Sequence, residues 1–197
     1  MSFALDDKAL DLLFREAQTA QTFSDEPVSE EKIREIYDLI KFAPTAFNQS
    51  PLRLTVLRSA EARGRLIPHL MGANQAKTET APATAILSMD TEFHEHLPRL
   101  FPVMPGLKDE VFSDPDARVG SAALNAALQA GYFILGVRAA GLAAGPMTGF
   151  DAEGINKEFF GDGKQKVLLV VNFGKPGENA YFPRNPRLSF EEAATVL

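Results

Sequence analysis

Residues 118–140 form a helical segment that is apolar nearly all round and rich in Ala and Gly. A helix without a polar face has to be covered on every side, so the rest of the chain must be arranged around this one. Its small residues allow close backbone approach, as at the centre of a domain or in a dimer interface, and Gly141 supplies a C-terminal stop. Arg118, Asn125, Gln129 and Arg138 interrupt the segment, leaving no clean run of about eighteen apolar residues for a membrane span. With 197 residues in all, the chain can bury one sizeable core around such a helix.

The elements around it mix without βαβ regularity. Residues 6–20 read as a helix with Leu10, Leu13, Phe14 and Ala17 on one face. Ser29 reads as the N-cap of a second helix that turns Ile33, Ile36, Tyr37 and Ile40 inward. Strands are expected over 53–58, 83–89 and 166–173, and short helices over 61–70, 73–79, 155–160 and 189–196. This is an α+β pattern, with one domain over 1–197. Residues 90–117 carry Pro98, Pro102, Pro105 and Pro115 yet stay apolar, so they read as an arm or lid packed on the body or on a partner subunit.

Composition excludes several classes. There is no Cys, hence no disulfide, thiolate metal site or cysteine nucleophile. A net charge of −6 speaks against a nucleic-acid partner. The N-terminus lacks a basic region followed by an apolar core, so no signal peptide is expected, no membrane is implied, and the cytoplasm is the default location.

Neither a G-x-G-x-x-G fingerprint nor a P-loop is present. Gly161-Asp162-Gly163-Lys164 reads as a turn before a strand. His94-Glu95-His96, with Asp90 and Glu92 nearby, has ligand-type side chains but reads as a charged, solvated segment, and no metal is expected. Ser121 lies in an Ala-rich helix start without a nucleophile elbow, so a serine hydrolase is not expected. Three polar loops carry more weight: 43–53, 145–151 and 184–187. Thr45, Asn48 and Gln49 suit the edge of a flat heterocycle, glycines at 145 and 149 permit close backbone approach, and Arg184 and Arg187 have the fork geometry for phosphate. Together they suggest a flavin.

Motifs in order along nearly the whole chain sharpen this. They are Pro27-Val28-Ser29 with Arg34-Glu35-Ile36-Tyr37, Pro44-Thr45 with Asn48 and Ser50-Pro51, and Gly72-Ala73-Asn74-Gln75-Ala76-Lys77-Thr78 with Ala81-Pro82. Leu97-Pro98 with Phe101-Pro102, Gly145-Pro146-Met147-Thr148-Gly149-Phe150-Asp151 and Pro186-Arg187-Leu188-Ser189-Phe190 follow. In these the chain resembles the nitroreductase family of FMN enzymes, and within it the malonic semialdehyde reductase branch. The resemblance implies a central sheet flanked by helices, a homodimer, and two FMN molecules at the subunit interface. It implies that Pro44, Thr45, Ala46 and Asn48 face the flavin, with Asn74 and Lys77 at its pyrimidine edge and Lys77 as electrostatic support. Pro146 and Met147 would line the ring, a backbone N–H of Thr148 or Gly149 would serve catalysis by pointing at N5, and Arg187 with Arg184 would hold the phosphate. Where many relatives carry N-terminal arginines, this chain has Gln18, Thr19 and Gln21, with Arg15 a turn away as the candidate substitute.

The implied reaction is ping-pong hydride transfer from NADH or NADPH, by way of flavin N5, to an acceptor. The branch favours malonic semialdehyde, reduced to 3-hydroxypropanoate, with Arg53 as the candidate for the substrate carboxylate. A broad nitro- or quinone-reductase and a non-catalytic flavin-binding protein are the alternatives.

Overall fold

The computed structural model describes residues 3–197. Asp6 accepts a hydrogen bond from Ala9 N–H and starts α1 (Asp7–Leu10), which continues as a π-turn over Asp11–Arg15 and stops. The expected helix over 6–20 is therefore too long. Beyond Arg15 the chain runs extended: Thr19 bridges Ala144 in parallel, Ala20 N–H donates to Ala144 O at 3.0 Å, and Phe23 bridges Pro176. Hydrogen bonds offered by an open sheet edge outcompete the helix there, because an edge strand needs a partner for its unpaired backbone groups.

Ser29 caps α2 (Glu30–Ile40) as expected, accepting from Lys32 N–H. Then come β1 (Leu52–Leu57), α3 (Ala60–Leu66), α4 (Ala73–Thr80) and β2 (Ala83–Asp90). The stretch that follows holds α5 (Leu97–Leu100) and α6 (Leu107–Glu110), after which α7 (Pro115–Ala139) leads to β3 (Ala143–Met147), α8 (Ala152–Phe159), β4 (Gln165–Gly174) and α9 (Phe190–Ala193). The sheet is antiparallel throughout, in the order β1-β2-β4-β3, so the α+β expectation holds. Residues 143–147, where no strand was expected and 145–147 read as part of a loop, form a strand instead. Pro146, which has no N–H to give a ladder, is tolerated because β3 lies at the sheet's edge.

On one face α2 and α7 bring Ile36, Ile40, Ala130, Phe133 and Val137 against Ala85, Leu87, Val171 and Phe173. The helices approach closely: a Cβ on Gly136 would lie 2.3 Å from Ile40 Cγ2. On the other face Leu66, Leu70, Ile155 and Phe160 cover Ile86 and Val170. A third cluster joins Phe93, Leu97, Leu107 and Phe112 to Met89, Ala122 and Ala126, so the proline-rich stretch lies against the N-terminal half of α7.

α7 is not covered on every side by its own chain. Leu124, Leu128 and Tyr132 are 65%, 48% and 42% exposed, in a row along the face turned away from the sheet. By length and composition alone α7 is also apolar enough to cross a membrane, at a mean hydropathy of 1.2, although its inner face is built into the core.

Candidate active site

The loop between α2 and β1 is held by a polar stripe on α7 made of Ser121, Asn125 and Gln129, each four residues from the next and so on one helix face. Asn125 Oδ1 accepts from Ala46 N–H at 2.8 Å and Gln129 Oε1 accepts from Leu52 N–H at 2.9 Å. The buried Gln49 donates through Nε2 to Ser121 Oγ and to Ala46 O, both at 3.0 Å. Sequence reasoning treated Asn125 and Gln129 only as interruptions and passed over what they do. The signal was three polar side chains at four-residue spacing in an otherwise apolar helix. Clamped this way, the loop sustains left-handed backbone at three non-glycine residues, Phe47 (φ 52°), Asn48 (φ 50°) and Ser50 (φ 42°). Such strain is kept only where the surroundings enforce it, and it concentrates at functional sites.

Three expected roles in this loop change. Gln49, expected at the edge of a flat heterocycle, is buried with its amide spent on Ser121 and Ala46. Asn48 donates through Nδ2 to Leu100 O at 2.9 Å, which ties the loop to α5 and spends one of its two amide hydrogens. Arg53, the candidate for a substrate carboxylate, is already engaged. It donates to Ser50 O and Leu52 O at 3.0 Å each and pairs with Asp90 at 2.5 Å. Phe47 meets Phe101 and Phe112 edge-on, with ring centroids 5.7 and 6.2 Å away.

A second group gathers along β3. A Cβ on Gly145 would stand 2.7 Å from Ala20 O, so only glycine lets the extended N-terminal stretch lie this close. That approach sets Gln18, Thr19 and Gln21 beside Arg184, Asn185 and Arg187 around a hollow of about 160 Å³. Arg184 donates to Ala17 O, and Arg187 uses one terminal nitrogen on Asn185 O and Pro186 O. Gln21 donates to Thr19 O while its buried Oε1 has no partner among the described residues. Two guanidinium groups and an unsatisfied amide around one hollow suit a phosphate. Arg15, the candidate substitute, is taken up by Asp7 and Asp11 at 2.9 and 3.1 Å.

Further along the same edge, Gly149 O accepts from Met71 N–H at 2.9 Å and from Asn74 Nδ2 at 3.1 Å. A Cβ on Gly149 would fall 2.8 Å from that amide nitrogen. Asn74 thus holds the Gly149 carbonyl, and the Gly149 N–H, on the preceding peptide, has no acceptor among the described residues. Lys77, half-buried one turn on from Asn74 in α4, forms no ion pair among them.

The structure brings the 18–21, 184–187, Asn74 and 145–149 groups to the β3 edge and leaves the 44–53 loop beside β1, the opposite edge. Three strand spacings, about 14 Å, separate those edges. The candidate residues therefore fall into two separate groups.

The acidic segment is less solvated than expected, since Phe93 and His94 are buried. Ligand-type atoms of Glu92, His94 and Glu95 lie within 4.8 Å of one another. Arg118 faces Glu92 at 3.5 Å and Lys108 pairs with Glu95 at 2.5 Å, so cations of the chain already match these carboxylates. His96 points instead toward Asp90, 3.9 Å away.

The model of the nitroreductase family matches residues 15–175. The chain belongs to the nitroreductase family. Its relatives agree over their full length. A Streptomyces griseus protein provisionally named NADH dehydrogenase/NAD(P)H nitroreductase is 61% identical over 197 residues, covering 100% of both chains. A Caulobacter protein with the same provisional name is 47% identical over 193 residues, covering 98% of each. Among solved structures, a provisional nitroreductase of Exiguobacterium sibiricum in complex with FMN superposes with a TM-score of 0.85 at 20% identity, covering 100% of this chain and 99% of that one. A Bacillus subtilis structure of similar provisional name gives 0.86 at 20% identity, over 98% and 100%. At that identity the two structures speak to the fold alone. The protein is thus an oxidoreductase of the nitroreductase family, as the motifs implied.

Proposed function

We propose that this nitroreductase-family protein is an FMN-dependent NAD(P)H oxidoreductase that works as a homodimer in the cytoplasm. We further propose that its acceptor is a small carboxylate-bearing aldehyde, malonic semialdehyde, reduced to 3-hydroxypropanoate. The observation that supports the cofactor reading is the β3 edge, where the hollow between Gln21 and Arg187 lies beside the extended N-terminal stretch and Asn74 reaches the Gly149 carbonyl just past the end of the strand. Bound FMN supplies the hydride relay between nicotinamide and acceptor.

The chain's own residues position and neutralise. Arg184 and Arg187, with Gln18, Thr19 and Gln21, would hold the phosphate. Asn74 holds the Gly149 carbonyl just past β3, and the N–H of Gly149 or of Thr148 would face the ring alongside Pro146 and Met147. Lys77 places a cation where negative charge collects on reduction. Pro44, Thr45, Ala46 and Asn48 would come from the second subunit, since the loop lies at the far edge of its own sheet. The bare row Leu124, Leu128 and Tyr132 on α7 is the surface available for that pairing. No step calls for a nucleophile, which accords with a chain that has no Cys.

The provisional names of the relatives favour a second reading, a broad nitro- or quinone-reductase. A visible spectrum of protein reconstituted with FMN, followed by steady-state NADH and NADPH oxidation with malonic semialdehyde, a quinone and a nitroaromatic, separates these. A flavin spectrum with turnover of the aldehyde is the expected result. Brisk turnover of the quinone and nitroaromatic alone would favour the second reading, and a flavin spectrum without any turnover would mark a non-catalytic flavin-binding protein.

A further inference from the structure

α4 lies on the sheet without the means a helix ordinarily uses, for it carries no apolar side chain larger than alanine. A surface helix docks by an apolar stripe; here the one buried residue is Thr78. Beneath it, on the face that also carries Ile86 and Val170, stand Thr84 of β2 and Asn172 of β4, directly opposite one another in the ladder. All three side chains are fully buried. Asn172 donates through Nδ2 to Thr78 Oγ1 at 3.0 Å, and its Oδ1 accepts from Thr84 Oγ1 at 2.7 Å. On its other side Asn172 is paired with Gly145, so the amide stands beside the strand that carries Pro146 and Met147.

Packing alone needs no polarity here. Apolar residues at 78, 84 and 172 would fill the same space, and replacing all partners of a buried hydrogen bond in this way is close to neutral for stability. Hydrogen bonds add direction. Apolar contact is indifferent to a small slide of the helix, whereas a satisfied buried network holds one arrangement. A slide would matter, because Thr78 directly follows Lys77 and lies one turn from Asn74, which holds the Gly149 carbonyl. Asn74 and Gln75 reach carbonyls outside the four strands, those of Gly149 and Leu70. Among the described residues, Thr78 makes the only side-chain hydrogen bonds from α4 to a strand of the sheet.

We propose that the buried triad Thr78–Asn172–Thr84 is a positioning device: it fixes where α4 sits on the sheet and thereby where Lys77 stands against the cofactor, a role that rests on the preceding reading that Lys77 faces bound FMN. Sealed beneath the helix, the three residues act through Lys77 and not on the cofactor itself.

The test is the midpoint potential of FMN bound to full-length protein, with urea midpoints taken on the same samples. A cation beside the ring stabilises the reduced, anionic cofactor over the oxidised one, so its loss lowers the potential. Lys77→Met should weaken reduced FMN relative to oxidised about tenfold, about 30 mV for a two-electron couple. Thr78→Val, which keeps the volume and removes the hydroxyl, should move the potential the same way by about threefold, about 14 mV. Thr78→Ser, which keeps the hydroxyl, should stay at the wild-type potential. In a Lys77→Met background Thr78→Val should shift the potential no further, since no cation remains to be displaced. Should Thr78→Val not fold, Thr78→Ala, a better helix former that cannot overpack, takes its place with the same expectations. An unchanged potential in the hydroxyl-free variant, whatever its urea midpoint, or an equal shift in both backgrounds, would overturn the proposal and leave the flavoenzyme reading intact. Failure of wild type to take up FMN would overturn both.

Discussion

Gly149→Ala tests how the β3 edge is built. The new Cβ would stand 2.8 Å from Asn74 Nδ2, too close for either to stay, and the amide is the softer of the two. Asn74 must swing away and surrender its 3.1 Å hydrogen bond to Gly149 O. That carbonyl keeps Met71 N–H, so the loss is one net hydrogen bond, about 1 kcal/mol, without a full desolvation penalty. Opposing it, alanine narrows the unfolded ensemble by about 0.4–1 kcal/mol wherever the native backbone tolerates it. The single variant should therefore lie within about 0.5 kcal/mol of wild type. In an Asn74→Ala background the next neighbour is Met71 Cβ at 3.8 Å, an ordinary contact, so the same change should stabilise. The coupling between the two positions is then about 1 kcal/mol. Urea midpoints for the four proteins at one protein concentration give that number, or melting temperatures at about 2–4 °C per kcal/mol. Additive effects would refute the reasoning and show that Asn74 does not set the need for glycine.

Four further outcomes follow from the same structure. Arg187→Ala should weaken FMN binding by about 1.5–3 kcal/mol, measured by fluorescence titration; unchanged affinity would place the phosphate elsewhere. Light scattering should give twice the 21.5 kDa chain mass for wild type and the single chain for Leu124→Asp, whose charge would be buried in the paired helices. Arg53→Ala leaves Asp90, only 11% exposed, without its cation, and should lower stability by about 2 kcal/mol in chemical denaturation. The Lys108 hydrogen bond holds the Glu95 carboxyl below the usual carboxylate range. A folded-state value that is lowered contributes above the ordinary glutamate pKa of about 4.3 and is lost as pH falls through the folded value. Proteolysis within 93–112 should accelerate in that acidic window for wild type and lose this pH dependence in Lys108→Met.

Patterns that are local in sequence were legible. Ser29 announced α2, and the apolar runs over 83–89 and 166–173 announced β2 and β4, because capping and burial are read from neighbouring residues. Partners chosen across the fold stayed hidden. Arg53 looked free because Asp90 stands on another strand, and Asn48 looked free because Leu100 arrives from α5. The helix over 6–20 was drawn past Arg15 because nothing in its own spacing reveals the open edge of β3. β3 was concealed by Gly145 and Pro146, residues that weaken a central strand and suit an edge. The site's residue types were visible; that they divide between two edges of the sheet was not, since strand order is a property of the assembled chain.

The left-handed backbone at Phe47, Asn48 and Ser50 has a consequence for how this loop can change. Relaxed versions exist, because glycine would occupy any of these positions with less strain, by about 1 kcal/mol each. Those versions would be blank, carrying no amide to reach Leu100 and no ring to lean on Phe101. The loop therefore trades thermostability for chemical content, and the α7 stripe of Ser121, Asn125 and Gln129 is what makes the trade sustainable. Selection for heat resistance alone would draw glycine into these positions, and the sturdier proteins that resulted would have lost the contacts that tie this loop to Leu100 and Phe101.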